Sequence, residues 1–137
     1  MELQVGVKIL FKNNEGKFLL VRRNPEKYPE VGAQWEIVGG RITAGSPLLE
    51  NLKREILEEI GLDYNVIPKL IAAQDILRAT GKHVVRLTYL GKLEGNPKLS
   101  EEHLDAKWFT ADEVKSLDRK MIDSYFLELI GNGAVLK

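Results

Sequence analysis

The sequence predicts an α/β fold in which a mixed β-sheet is covered by helices on two sides. Three observations predict it. Gln4 to Phe11 sets Val5, Val7, Ile9 and Phe11 at alternate positions, a period-two pattern that suits a strand. Pro47 to Ile60 carries Leu48, Leu49, Leu52, Ile56 and Ile60 at spacings of three and four, which places them on one helical face expected to be buried. The segments follow the order β-β-β-α-β-β-β-α-α with no repeat, linker or low-complexity tract, so residues 1–137 are expected to form a single domain.

Each element has a local reason. Asn13-Asn14-Glu15-Gly16 supplies turn chemistry between the first strand and Phe18 to Val21, and the two read as a hairpin. Arg22 to Gln34 is polar and holds Pro25, Pro29 and Gly32, a loop long enough to be functional. Trp35 to Val38 is a short strand entering Gly39-Gly40. Ser46 is placed to cap the following helix with Pro47 at its first position, and Gly61 supplies a left-handed stop. Tyr64 to Leu77 and Val84 to Leu93 read as paired strands joined by Arg78 to His83, which contains Thr80-Gly81. Lys107 to Phe109 is a further short strand and Ala111 to Ser116 a short helix. Arg119 to Ile130 reads as a closing amphipathic helix with Met121, Ile122, Tyr125, Phe126 and Leu129 on one side.

Composition narrows the function classes. Hydrophobic residues make up 44% of the chain and charged residues 29%, a balance that argues against disorder. Twenty Lys plus Arg against twenty Asp plus Glu remove the electrostatic footprint of a general nucleic-acid or acidic-membrane binder. Met1 to Phe11 is not a signal segment and no apolar run approaches the length of a membrane span, so a cytoplasmic location is the default expectation. With no cysteine there is no disulfide framework and no thiolate site.

Within the first helix, Glu55, Glu58 and Glu59 stand at i, i+3 and i+4, so their carboxylates share one sector beside the apolar stripe. Like charges at this spacing destabilise a helix by about 0.2–0.5 kcal/mol per pair, and a bound cation would reverse the sign. Magnesium takes oxygen ligands, needs only one or two carboxylates per ion and keeps positions for substrate phosphates. A solvated face paired with Lys53 and Arg54 is the competing reading of the three glutamates alone.

Gly40, Arg54-Glu55-Ile56, Glu58-Glu59 and Gly61-Leu62 change that balance. Together they resemble a Nudix box, G-x5-E-x7-R-E-U-x-E-E-x-G-U with U aliphatic, and meet eight of its nine specified positions in order and without a gap. The resemblance implies a Nudix-like α/β/α sandwich with a mixed β-sheet. It implies hydrolysis of a diphosphate in a nucleoside diphosphate-linked compound such as a nucleoside triphosphate, a nucleotide sugar or ADP-ribose. Mg2+ or Mn2+ would be held by Glu55, Glu58 and Glu59, and a homodimer is a common family state. Arg54 points about 100° away from Glu55 and is expected to hold loop backbone or a glutamate, not metal. Gly39 and Gly40 let backbone approach a ligand or accept positive φ.

Ser46 stands where the family has Glu, so one negative charge is missing. A carboxylate outside the box could replace it: Ser100 to Asp105 before Trp108 resembles the segment that often supplies an extra glutamate, with Glu102 the first choice and Glu101 the second. His103 is read as an exposed loop residue. Arg22, Arg23 and Arg41 are candidates to grip phosphates and are equally readable as surface arginines. Trp35 and Tyr28 could stack on a base, with core the stronger reading for Trp35. Two functions therefore follow, a metal-dependent hydrolase and a Nudix-fold nucleotide sensor without turnover; Ser46 favours the sensor, the intact Arg54-Glu55 and Glu58-Glu59 pairs the hydrolase.

Overall fold

Glu2–Lys12 (β1) is the spine of the sheet. In the computed structural model, which describes residues 1–24, 26, 34–98 and 103–131, it runs parallel to Lys82–Lys92 (β6) over its whole length, from Glu2 opposite Lys82 to Lys12 opposite Lys92. Its other side is shared between Val38–Arg41 (β4), antiparallel with Gly6 opposite Arg41, and Phe18–Arg23 (β2), antiparallel with Lys12 opposite Phe18. Beyond β2 lie Trp35–Glu36 (β3) and His103–Phe109 (β7), and beyond β6 lies Lys69–Ile76 (β5), giving a seven-stranded mixed sheet. The turn after β1 forms as expected, with Asn13 Oδ1 accepting from Glu15 N and Lys17 N at 3.0 and 2.9 Å and Gly16 at φ 76°. The hairpin it closes is short because β4 takes the same edge of β1 from Gly6 to Ile9.

Alternation along the strands builds a core on each face. Val7, Ile9, Phe11, Leu19, Val21 and Val38 pack under the helix Leu48–Ile60 (α1), which contributes Leu52, Ile56 and Ile60. Leu10, Phe18, Leu20, Ile37 and Phe109 pack under Ala111–Ser116 (α2) and Ser124–Gly131 (α3). The result is the expected α/β/α sandwich.

Several local expectations are corrected. Full burial of the α1 stripe begins only at Leu52: Leu48 and Leu49 are 36% and 42% exposed, so the first turn is only partly covered. Tyr64 stands outside a strand; Pro68 lacks an N–H for a ladder, and β5 begins after it. The last strand starts earlier than Lys107, because pairing with β2 carries the polar residues from His103 into the sheet. The closing helix is two pieces: Arg119–Met121 is a 3-10 turn, Ile122 is extended at φ −143° and ψ 146°, and α3 starts at Ser124. Ile122 makes a parallel bridge to Trp35, and Asp123 N donates to Trp35 O at 3.0 Å, so the sheet takes the two residues that periodicity assigns to the helix. Trp35 is core, 8% exposed and edge-on to Phe109 at 4.9 Å. Tyr28, Glu101 and Glu102 lie outside the described residues, as does most of the Arg22 to Gln34 loop. Among the described residues no helix is long and apolar enough to cross a membrane.

Candidate functional site

Strand β4 and α1 meet at one point; in place of one strand Trp35 to Val38 ending at the two glycines, the structure has two strands parted at Ile37, with Gly39 and Gly40 inside β4 and paired to Lys8 and Val7. Gly40 faces α1, and a Cβ there would stand 2.7 Å from Glu55 Cδ and 2.7 and 2.8 Å from its two oxygens. Only a residue without a side chain lets this carboxylate lie against the strand. Gly39 has φ 144° and a Cβ on it would stand 2.1 Å from Val7 O, so the close approach of β4 to β1 demands glycine there too.

The three glutamates part company. The Glu55 side chain is 15% exposed and Arg54 Nη2 approaches its Oε1 at 3.4 Å. Glu58 is exposed. Glu59 is 2% exposed and turned inward, its Oε2 accepting from Gly39 N at 2.7 Å. Burial pushes its carboxyl up to about 8; Lys8 opposes the shift, Glu36 and Glu55 add to it, and the Gly39 bond opposes it. Among the described residues no three Asp, Glu or His side chains converge into a metal-holding cluster. The common sector seen in the sequence is therefore divided by depth, with Glu58 exposed, Glu55 partly buried and Glu59 buried.

Arg54 Nη2 donates to Arg41 O at 3.2 Å and to Asn51 Oδ1 at 3.1 Å. Asn51 is a residue that sequence reasoning missed. It is 1% exposed; its Oδ1 accepts from Thr43 N at 2.9 Å while its Nδ2 donates to Ser46 O at 3.0 Å and Pro47 O at 2.7 Å. The loop between β4 and α1 is thus tied down by Asn51 and Arg54, not by Ser46. Correcting the expected cap, the helix begins at Leu48 with Pro47 in the capping position and no side-chain cap bond. Gly61 closes it in the left-handed conformation at φ 68°.

The arginine candidates have separate surroundings. Arg23 pairs with Glu36, at 3.1 Å from Nε and 2.9 Å from Nη2, and Arg22 lies over the Trp35 ring at 5.5 Å. Arg41 is exposed and donates from Nε to Gln4 Oε1 at 2.9 Å. Burial of its head, then Arg86, Arg23 and Arg78, hold its pKa below the usual value. The neighbours Lys8, Arg78, Arg86 and Asp123 were not singled out in the sequence. Lys8 is 5% exposed and bonds Ile37 O at 3.2 Å and Gly39 O at 3.3 Å. Asp123 accepts from Arg78 at 2.9 Å and Arg86 at 2.5 Å. Burial alone would raise its pKa, but Arg86, then Arg78 and Lys8, hold it below the usual range. The available signal was charge inside strand patterns: Lys8 and Arg86 interrupt otherwise apolar or β-branched runs.

A NUDIX domain model matches residues 2–130. The chain belongs to the NUDIX domain family. Among its relatives in that family, a Mycobacterium tuberculosis protein named "Putative 8-oxo-dGTP diphosphatase 2" is 30% identical over 90 residues, 66% of this chain and 63% of that protein. The "Oxidized purine nucleoside triphosphate hydrolase" of Mus musculus is 28% identical over 98 residues, 71% of this chain and 62% of that one. The matched part of this chain therefore spans just under two thirds of these relatives. The crystal structure of the MutT protein from Methanosarcina mazei Go1 superposes with a TM-score of 0.83 at 25% identity, covering 95% of this chain and 91% of that one.

Proposed function

We propose that this chain is a divalent-metal-dependent hydrolase that cuts a diphosphate bond in a nucleoside diphosphate-linked compound. The observation that carries the reading is the Glu55 carboxylate lying against bare backbone at Gly40, with exposed Glu58 one helical turn away. Nucleoside triphosphates are the first class to test, since both relatives are named for that chemistry.

The donor set fits Mg2+ or Mn2+: two hard carboxylates on one helix face, Glu55 partly buried and Glu58 exposed, are enough, with water and substrate oxygens completing the shell. Glu55 and Glu58 would hold the ion, and Glu59 would join them in its charged form. The ion would neutralise phosphoryl oxygens and make its bound water a stronger nucleophile. Arg54, through Arg41 O and Asn51, fixes the loop that borders the carboxylates. Arg41 supplies positive charge at the end of β4, with Arg22 and Arg23 further along the sheet. Glu102 is the proposed acceptor of the water proton, with Glu101 as the alternative. Rates on a panel of nucleoside triphosphates, nucleotide sugars and ADP-ribose with magnesium or manganese test this, with Glu58→Gln as control. Turnover that survives Glu55→Gln and Glu58→Gln together at saturating metal would sink it.

Ser46 and the inward Glu59 favour a second reading, a sensor that binds nucleotide without cleaving it. Tight binding across the same panel with no product in any reaction would select it.

A further inference from the structure

The outer edge of β4 is held by side chains where a sheet would place a strand. Among the described residues β4 pairs with β1 alone. Ile42 N donates to Val5 O on the β1 side, so by alternation the polar backbone groups of residues 37, 39 and 41 point to the other edge. Three charged side chains meet them there. Lys8 Nζ donates to Ile37 O at 3.2 Å and Gly39 O at 3.3 Å, Glu59 Oε2 accepts from Gly39 N at 2.7 Å, and Arg54 Nη2 donates to Arg41 O at 3.2 Å.

Lys8 has no part in the proposed hydrolysis, yet it makes two of these four bonds. It belongs to β1 and stands directly opposite Gly39, so its side chain passes across that residue to reach the far edge. Gly39 leaves the passage open: a Cβ there would stand 2.9 Å from Lys8 Cδ. The ammonium group of a residue only 5% exposed thus serves two carbonyls that would otherwise lack a partner strand. Lys8 and Glu59 grip the same stretch of backbone with opposite charges, one through its carbonyls and the other through its N–H. A strand in this place would exclude the Glu59 carboxylate. The next residue, Gly40, is the one whose bare backbone receives Glu55.

We infer that Lys8 is a positioning residue of the metal site: by holding the outer edge of β4 it sets where the Gly39–Gly40 backbone, and with it the Glu59 and Glu55 carboxylates, stand for the ion. It touches neither substrate nor metal and acts through β4. The inference rests on the proposed function for the presence of the ion, while the hold on β4 is read without any metal.

Lys8→Met keeps most of the stem and removes the charge and the donors. Thr88→Val is the control: Thr88 stands beside Lys8 on β6, is fully buried and has no hydrogen-bond partner for Oγ1 among the described residues, so it disturbs the same core without reaching the edge of β4. In metal-free protein the Gly39 amide of Lys8→Met should exchange its hydrogen faster by at least about tenfold, with the β6 amides little changed. Calorimetric Mn2+ affinity should fall by about 10- to 100-fold, and kcat should fall with KM kept. Thr88→Val should match wild type in all three. Gly39 exchange that rises no more than that of β6 would make Lys8 an ordinary core residue and overturn the inference. So would a loosened Gly39 with unchanged Mn2+ affinity, or a raised KM at full kcat, which would place Lys8 on the substrate. If Lys8→Met folds poorly, Glu59→Gln is added so that no carboxylate is left without its cation, and Gly39 exchange of the double variant against Glu59→Gln alone is read by the same criterion. Wild type that binds Mn2+ and cleaves nothing removes the hydrolase reading and leaves the exchange and Mn2+ results to decide on Lys8; wild type that binds no Mn2+ removes both.

Discussion

Replacing Gly40 by alanine tests whether the observed place of the Glu55 carboxylate is the working one. The added methyl would stand 2.7 Å from Glu55 Cδ, and ordinary van der Waals contact starts at 3.4 Å, so the carboxylate must retreat by about 0.7 Å. It is the far end of a flexible side chain and Gly40 is not in the left-handed region, so the backbone has no reason to move. The expected stability loss is therefore about 1 kcal/mol, an ordinary substitution. Catalysis is more sensitive, since a misplacement near 1 Å can cost about a hundredfold. Steady-state kcat with the best diphosphate substrate, beside a thermal melt, should show a loss of about 10- to 100-fold with Tm nearly kept. Gly39→Ala is the contrast: its methyl would meet Val7 O at 2.1 Å from a backbone at φ 144°, and neither can yield without breaking the β1–β4 ladder. That variant should lose more than about 4 kcal/mol and fold poorly. Full kcat in Gly40→Ala would refute the placement of Glu55, and equal destabilisation of the two variants would refute the division between carboxylate and backbone.

Other perturbations separate the remaining roles. Glu59 takes a proton near 4.5 when unfolded and near 8 when folded, so its stabilising contribution is complete below about pH 4.5 and is lost as pH rises through 8. Glu59→Gln should remove this dependence, which amounts to up to about 5 kcal/mol; metal-free Tm curves of variant and wild type that run parallel from pH 5 to 9 would contradict it. Asp123→Asn leaves Arg86 buried without a counter-charge and should cost about 3 kcal/mol, read by urea denaturation; an unchanged midpoint would mean the two arginines find other partners. Ser46 makes no cap bond, so Ser46→Glu should change stability by less than about 0.5 kcal/mol and lower the metal concentration for half-maximal rate; an unchanged metal requirement would place residue 46 outside the working shell. Glu102→Gln should lower kcat with little effect on KM, and damage from Glu101→Gln instead would move the role by one residue.

Local chemistry determined a good part of this protein before any fold was known. The stop at Gly61, the turn at Asn13 to Gly16 and the helix Ala111 to Ser116 rest on near neighbours in the chain, where periodicity and turn residues act directly. The spacing from Gly40 to Leu62 identified the family for the same reason, since its residues lie on one strand end, the loop after it and one helix. Tertiary structure decided the rest. Burial divided three glutamates of equal helical phase, because Glu59 lies above Gly39 and Glu58 does not. Asn51, and not Ser46, ties the loop, through bonds to backbone that becomes adjacent only after the strand turns into the helix. The closing helix broke at Ile122 and Asp123 because Trp35, far away in sequence, offered a bridge and a carbonyl. Arg41 and Arg86 come to one face only through the registers of β4 on β1 and β1 on β6, and Asp123 joins Arg86 to Arg78 from outside the strands. Sequence spacing reports what shares a helix or a strand; which charged groups meet across a sheet depends on pairing that no local pattern carries.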